Sequence, residues 1–525
     1  MTGELAAPAG LPSVAWRRRP VALAALCTLL FLTFLDNTVV SVALASIQTD
    51  LHAGVSALQW VVGAYALTFA ALMLTFGMVG DEFGRKKVML AGAGVYCAGA
   101  ALSALASGTG ILIAGRAVMG LGAAASEPGT LSMIRQLYPE ARSRNRALGV
   151  WAAVSGFSLA LGPVLGGTLV GAWSWRGIFW FDVTFGLAAM AVAATVLPES
   201  SDPRAGRVDT VGTVLGAAAL AALVFAIING ETAGFTAPVV LALLGLSVVA
   251  AAAFVVWELR TPHPLLDVRL LRVPAFATPN MIAGCCYFAT FAIFFFTALY
   301  LAEVAGYSGF RIAALFLPMT AVMIAASLLA GHWTTAVGVR WSLVAGCLLF
   351  AAGLAATNAA LGPHPGYLQL AAALGLAGAG LGTCVVPVTS GVLAAVPAER
   401  SGMAASATNT SREVGAVAGV AVLGALVDAQ LKSGLLARME HLHIPGALQT
   451  FIIQSVENGG AAVTLGGAGG SGGGGSGGGQ GGLIGQLFQA GYTAFESALH
   501  QALYLSAGLL ACAAVLAAIT LRTRR

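Results

Sequence analysis

Three charged side chains stand inside long apolar stretches of this 525-residue chain: Asp36, Arg116 and Glu127. A charge at the centre of a bilayer costs about 2.5–3.5 kcal/mol on insertion scales, which makes each of them a candidate functional group. Asp36 lies about ten residues (~15 Å) from one end of its stretch, and Arg116 about six residues (~9 Å) from the same end of its own. The difference in depth, ~6 Å, is within reach of an arginine side chain. Two readings are open. An Asp36–Arg116 ion pair holds two helices together, or the carboxylate carries a proton. A low-dielectric site disfavours a charged carboxylate, and a nearby cation favours it. A carboxylate whose neighbours alternate between two arrangements can therefore bind a proton on one side and release it on the other. The readings agree if the pair forms in only one arrangement. Glu127 lies deeper, ~25 Å from that end, and precedes Pro128, which removes a backbone donor and can open the helix.

The elements that must hold these groups are set by composition. Only 9% of residues are charged and 58% are hydrophobic, against roughly 25% charged in a soluble domain. Mean hydropathy is +0.87. So few charges cannot cover the surface of a soluble protein of this size. A soluble enzyme, a secreted disulfide scaffold and a disordered chain are excluded, and a polytopic membrane protein is expected. The net charge of +5 carries no Lys/Arg run beyond Arg17–Arg19, so no nucleic-acid partner is expected. The seven Cys lie in apolar stretches without a CxxC pair and read as small buried residues.

A span needs about 20 mostly apolar residues. Fourteen stretches qualify, at roughly 20–45, 57–80, 88–107, 110–134, 147–172, 177–197, 210–229, 237–257, 276–301, 312–331, 341–360, 368–391, 404–427 and 498–520. None alternates like a barrel strand, so all are read as helices. With both termini cytoplasmic, 21 of the 26 Lys and Arg fall on the cytoplasmic side, Arg400 and Arg412 among them. Arg176, Arg311, Lys432 and Arg438 fall outside, and Arg116 within a span. This asymmetry is the positive-inside pattern. The first apolar run is about 25 residues long and carries Asp36 and Asn37, so a retained helix is expected rather than a signal peptide.

Residues 77–92 read GMVGDEFGRKKVMLAG and residues 331–346 read GHWTTAVGVRWSLVAG. The turns after spans 2 and 10 thus share Gly at the first position, Gly seven residues on and a closing Ala-Gly. An offset of eight helices divides the chain as a cytoplasmic tail (1–19), a six-helix half (20–197), a two-helix insert with flanking cytoplasmic loops (198–274), a second six-helix half (275–521) and a tail (522–525). Parallel halves of this kind build transporters. The second half contains an extracellular loop at 428–497, and 15 of the 24 residues in 459–482 are Gly. Such a segment reads as a linker. Gly-Lys never occurs, so no P-loop can cradle a nucleotide. No Ser/His/Asp spacing or HExxH motif points to hydrolysis. Neither enzyme activity, metal nor cofactor is expected, and energy must come from an ion gradient, a substrate gradient or a separate subunit.

The residues then show a resemblance. Residues 77–86, GMVGDEFGRK, resemble the cytoplasmic loop motif of the major facilitator superfamily, carried here by Gly77, Asp81, Gly84, Arg85 and Lys86. Residues 162–167, GPVLGG, with Gly149 upstream, are similar to the antiporter motif of that superfamily's drug exporters; Gly149, Gly162, Pro163, Gly166 and Gly167 fill it, and Ser158 stands where another Gly is usual. Residues 35–44, LDNTVVSVAL, resemble the first-helix signature of the 14-span drug:proton antiporter branch, and Arg116 falls in GRAVMGLGAA where that branch carries an intramembrane Arg. The resemblance implies an all-α major facilitator fold of 14 helices arranged as 6 + 2 + 6. It also implies a conformational latch in the 77–86 loop and proton coupling through Asp36 and Arg116. Glu127 is grouped with them as a residue that binds protons or substrate. The second turn lacks the acid and most of the basic residues, so only the first should carry the latch.

The leading expectation is a proton-driven exporter of amphipathic small molecules in a bacterial plasma membrane, acting in drug or antibiotic efflux as a monomer with no nucleotide partner. The alternatives are a dedicated exporter or importer of one metabolite, such as a self-made antibiotic or siderophore, and, further off, a channel or receptor. Gln59, Tyr65, Asn280, Tyr287 and Asn409 are candidates to line the substrate cavity.

Overall fold

The computed structural model describes residues 19–53, 55–200, 209–262, 264–303, 305, 307, 309–362, 366–397, 400–441 and 480–521. The described residues are helical, with no strand among them. The first half comprises α1 (Arg19–Leu51), α2 (Val55–Phe83), α3 (Arg85–Ala104), α4 (Thr109–Leu137), α5 (Ala141–Ala172) and α6 (Arg176–Val196). The insert is α7 (Thr210–Ala233) and α8 (Pro238–Glu258). In the second half, α9 (Pro274–Phe291) runs through a π-helical turn, Ala292–Phe296, into α10 (Thr297–Glu303). It continues with α11 (Gly309–Ala360), α12 (Tyr367–Ala394), α13 (Ser401–His441) and α14 (Gln480–Thr520).

Eleven described segments are long and apolar enough to cross a membrane. One of them, Ala314–Ala360, contains a non-helical Gly338 at φ 85° and is two helices joined by a turn. Helices α5 and α13 are long but more polar. The expected fourteen spans are compatible with this set.

The two halves repeat one packing rule. Without a hydrophobic force between helices in lipid, small residues let backbones approach closely. A Cβ on Gly92, Gly99 or Gly122 would press on the facing helix of the α3/α4 pair, and one on Gly346, Gly353 or Gly380 on its counterpart in α11/α12. The turn glycines correspond as well: Gly84 has φ +111° and Gly338 has φ +85°, a left-handed backbone that only Gly adopts without cost. Helix α5 packs on α11, and α2 on α13, joining the halves. The insert pair packs on itself and on α2 and α13; Asp209 caps α7 by accepting from Gly212 N at 2.8 Å.

The structure corrects the loop expected at 428–497. Residues 428–441 extend α13 and residues 480–497 belong to α14. The run AQLKSGLLARMEH is too polar to be counted as a span but forms helix readily. Residues 442–479, which hold most of the Gly-rich tract, lie outside the described residues, as do 1–18, 201–208 and 522–525.

Candidate functional site

The small-residue contact of α1, α2 and α4 places Arg116 against Asp36. Arg116 Nη1 donates to both Asp36 oxygens at 2.6 Å, and Nε donates to the Val61 carbonyl at 2.9 Å. The guanidinium lies 4.6 Å from the Tyr65 ring centroid. Both ion-pair side chains are essentially unexposed, at 1% and 0%. Tyr65 is equally buried and donates to the Thr33 carbonyl at 3.2 Å. It is thus a wall of the ion-pair site.

A second polar cluster joins the halves. Arg412, counted from sequence as a loop residue, is a buried side chain about eleven residues (~16 Å) inside α13. Its Nη1 donates to Asn409 Oδ1 at 3.1 Å and its Nη2 to Thr389 Oγ1 at 3.0 Å. The guanidinium lies 5.4 Å from the Trp151 ring of α5 and 5.6 Å from the Tyr287 ring of α9. Trp151 Nε1 donates to Thr130 Oγ1 at 3.1 Å, and Thr130 Oγ1 donates to the Glu127 carbonyl at 2.7 Å. Glu127 is buried on α4, within electrostatic range of Arg412 and Glu413. Tyr287 and Asn409 therefore gather around Arg412, with Glu127 in its electrostatic range. Asn280 does not join them: it donates to the Phe276 carbonyl at 2.9 Å nearer the start of α9. The Gln59 side chain lies outside the described residues.

The third arrangement closes the Arg/Lys-rich end of the bundle. Arg85 Nε donates to Asp81 Oδ1 at 2.8 Å, and Asp81 Oδ2 accepts from Gly402 N at 3.1 Å in the first turn of α13. Asp81 thus serves both roles open to it, helix cap and arginine partner. Arg85 Nη2 also donates to Ser401 Oγ at 3.2 Å. A Cβ on Gly77 would collide with Ser406 and approach Gly402 O at 3.0 Å. Beside Gly84, Glu199 accepts from Lys86 N at 3.2 Å. Across the end, Asn145 Nδ2 donates to Thr335 Oγ1 at 3.3 Å and Arg135 Nη2 to the Val396 carbonyl at 2.9 Å.

The glycines of residues 149–167 serve different contacts. A Cβ on Gly149 would press on the Ser327 carbonyl of α11, and one on Gly162 would collide with Thr38 of α1. Gly166 is buried, whereas Gly167 would meet nothing within 4 Å. The Pro163 side chain lies outside the described set, and α5 runs unbroken through it.

Sequence reasoning missed two groups. Asp182 of α6 has 0% exposure, and neither carboxylate oxygen has a hydrogen-bond partner among the described residues. Glu413 sits beside Arg412. The intramembrane charges are therefore more than the three read from sequence. Asp182 was passed over because it stands six residues from Arg176, close to where the sixth span was drawn. Cys286, Cys347 and Cys384 also converge, their sulfurs all within 4.8 Å, and all three are free thiols.

Comparison with known proteins places this geometry. The family model described as Major Facilitator Superfamily matches residues 26–420. The chain is 32% identical over 427 residues to the multidrug resistance protein Stp of Mycobacterium tuberculosis, covering 81% of this chain and 79% of that one. It is 33% identical over 410 residues to the methylenomycin A resistance protein of Streptomyces coelicolor (78% and 85% covered). It is 28% identical over 523 residues to the multidrug efflux pump LfrA of Mycolicibacterium smegmatis, with 97% of each covered. Among solved structures, the human organic anion transporter MFSD10 shares the fold with TM-score 0.59 at 13% identity, over 94% of this chain and 99% of that one. A multi-pass helical bundle with corresponding turn glycines in its two halves, matched by that family model over most of its length, belongs to the major facilitator superfamily.

Proposed function

We propose that this protein is a proton-driven exporter of amphipathic small molecules, a drug efflux transporter working by alternating access. The observation that carries the coupling is the Asp36–Arg116 pair, fully buried and bidentate. Similarity to proteins named for multidrug and antibiotic resistance supports export. The Arg/Lys-rich end is taken as cytoplasmic, with both termini on that side. The described conformation is then closed to the cytoplasm, and Asp36 receives its proton from outside.

Protonation of Asp36 removes the charge that balances Arg116. Losing one partner of a buried pair costs about 3–5 kcal/mol, enough to shift the contact of α1 with α4. One proton moving inward through 100 mV supplies about 2.3 kcal/mol, roughly a 50-fold gradient of a neutral substrate; against a monovalent cation exchanged one for one the voltage cancels, and each pH unit supports about a tenfold gradient. Substrate binds at the junction of the halves. Trp151 and Tyr287 offer ring faces, and Glu127, Glu413 and Arg412 offer two acids against one cation. The balance of charge favours amphipathic cations. Substrate occupancy there separates Arg412 from Trp151 and so reports to both halves.

Ethidium, an amphipathic cation, tests direction. Cells expressing the protein should hold less ethidium than control cells, and collapsing the proton gradient should raise it. A fall on collapse would replace export by uptake.

A further inference from the structure

Asp182 stands apart from every acid used so far. Its neighbour one turn along α6, Gly186, packs on α1 and α3: a Cβ there would meet Leu32 Cδ1 at 3.3 Å and Cys97 Sγ at 2.6 Å. Helices α1 and α6 run in opposite directions. One turn further toward the far end, α1 presents Asp36 and α6 presents Asp182. Asp182 accordingly lies within electrostatic range of both Asp36 and Arg116. One guanidinium thus lies in electrostatic range of both acids and in contact with Asp36. Arg116 commits Nη1 to both Asp36 oxygens and Nε to Val61.

Charge counting then constrains the site. One guanidinium balances one carboxylate. A second carboxylate with no exposure and no donor would carry an uncompensated buried charge, which proteins avoid. The other titratable groups facing Asp182 add no cation: α3 brings Tyr96 and Cys97. Helix α5, which also packs on α6, carries its basic residues Arg142, Arg144 and Arg146 at the Arg/Lys-rich end. The site thus holds one proton more than Asp36 accounts for. A small cavity lies one turn away, beside Gly186. It is of about one water's size and is lined by Thr33, Tyr96, Ser126 and Gly186, among others. The Tyr96 hydroxyl is buried without a partner, and Ser126 adjoins Glu127.

We propose that Asp182 is a second proton-binding site sharing Arg116 with Asp36, so that the first half moves two protons per cycle. This rests on the proton-coupled reading above. The two protons belong to the pair of acids rather than to either alone.

Two measurements on the full-length protein test it. Infrared spectra of purified protein at neutral pH should contain a protonated-carboxyl band that Asp182→Asn removes. In proteoliposomes clamped at zero membrane potential, the number of protons exchanged per ethidium, read from the pH gradient that halts net flux against a fixed ethidium gradient, should fall by about half in Asp182→Asn and return in Asp182→Glu. An unchanged band and an unchanged proton count in Asp182→Asn would overturn the proposal. So would a loss of transport in both variants with the band intact, which is the mark of a purely structural residue. If Asp36→Asn uncouples transport while Asp182→Asn changes nothing, the coupling reading stands and this one falls. If Asp36→Asn stays coupled, the reading beneath falls and the carboxyl band alone decides Asp182.

Discussion

Replacing Arg116 with Met leaves Asp36 buried without its cation. That should destabilise the protein by about 3–5 kcal/mol. The double variant Asp36→Asn/Arg116→Met should recover much of the loss, because a neutral pair leaves no unbalanced charge. Thermal unfolding of the purified variants checks this, with the double above the single. Arg116→Lys should also fail, since an ammonium cannot hold two Asp36 oxygens, the Val61 carbonyl and the Tyr65 face together. Asp36 and Arg116 are legible in the sequence because each is a lone charge deep in an apolar run, and depth alone sets them within reach. Asp182 and Arg412 are not. Asp182 stands near a boundary drawn from hydropathy, where a charge reads as a loop residue. Arg412 falls inside the 404–427 stretch yet reads from sequence with the cytoplasmic basic residues, and only the structure shows both side chains buried. Tyr65 shows a different limit: an aromatic with a hydroxyl suits a substrate wall or an ion-pair site equally, and only the structure shows it against Thr33 and Arg116.

At the scale of elements, Asp81 holds α2 to the start of α13. In a Ser401→Cys background, Asp81→Ala should raise maleimide labelling of that cysteine about fivefold, as expected for about 1 kcal/mol lost from a helix cap. Unchanged labelling would remove the latch. The turn glycines differ in what surrounds them. Gly84→Ala meets both a left-handed backbone and Glu199, whereas Gly338→Ala meets only the backbone. The first should lower thermal stability more, and the second by about 1–2 kcal/mol. At the far end of α1, Asp50 accepts from Arg176 Nη1 at 2.6 Å and Trp175 Nε1 at 3.0 Å. These donors, Arg176 first, hold its carboxyl below the usual range. A depressed carboxylate contributes stability above its unfolded pKa and loses it as pH falls through the folded value. Unfolding temperature should thus differ between wild type and Asp50→Asn at pH 7, and the gap should close below about pH 4. The shared turn pattern was readable because glycine spacing records backbone geometry. The ends of α13 and α14 were not, since helix continues past the apolar run that marks a span.

Over the whole molecule, the Asp36–Arg116 pair and the interfacial cluster sit along one face of α4, about three turns apart. Glu127 and Arg116 share that helix, about eleven residues (~16 Å) apart. Trp151 ties the cluster to α4 through Thr130, so both sites rest on that one helix. In the proposed cycle the closed Arg/Lys-rich end leaves the opposite side to deliver the proton. The central claim is that Asp36 couples this proton to substrate movement, and transport in inverted membrane vesicles tests it most directly. With an acidic interior imposed, wild-type vesicles should accumulate ethidium above equilibrium. Asp36→Asn vesicles should bind ethidium and equilibrate it without accumulation. Full gradient-driven accumulation by Asp36→Asn would contradict the account.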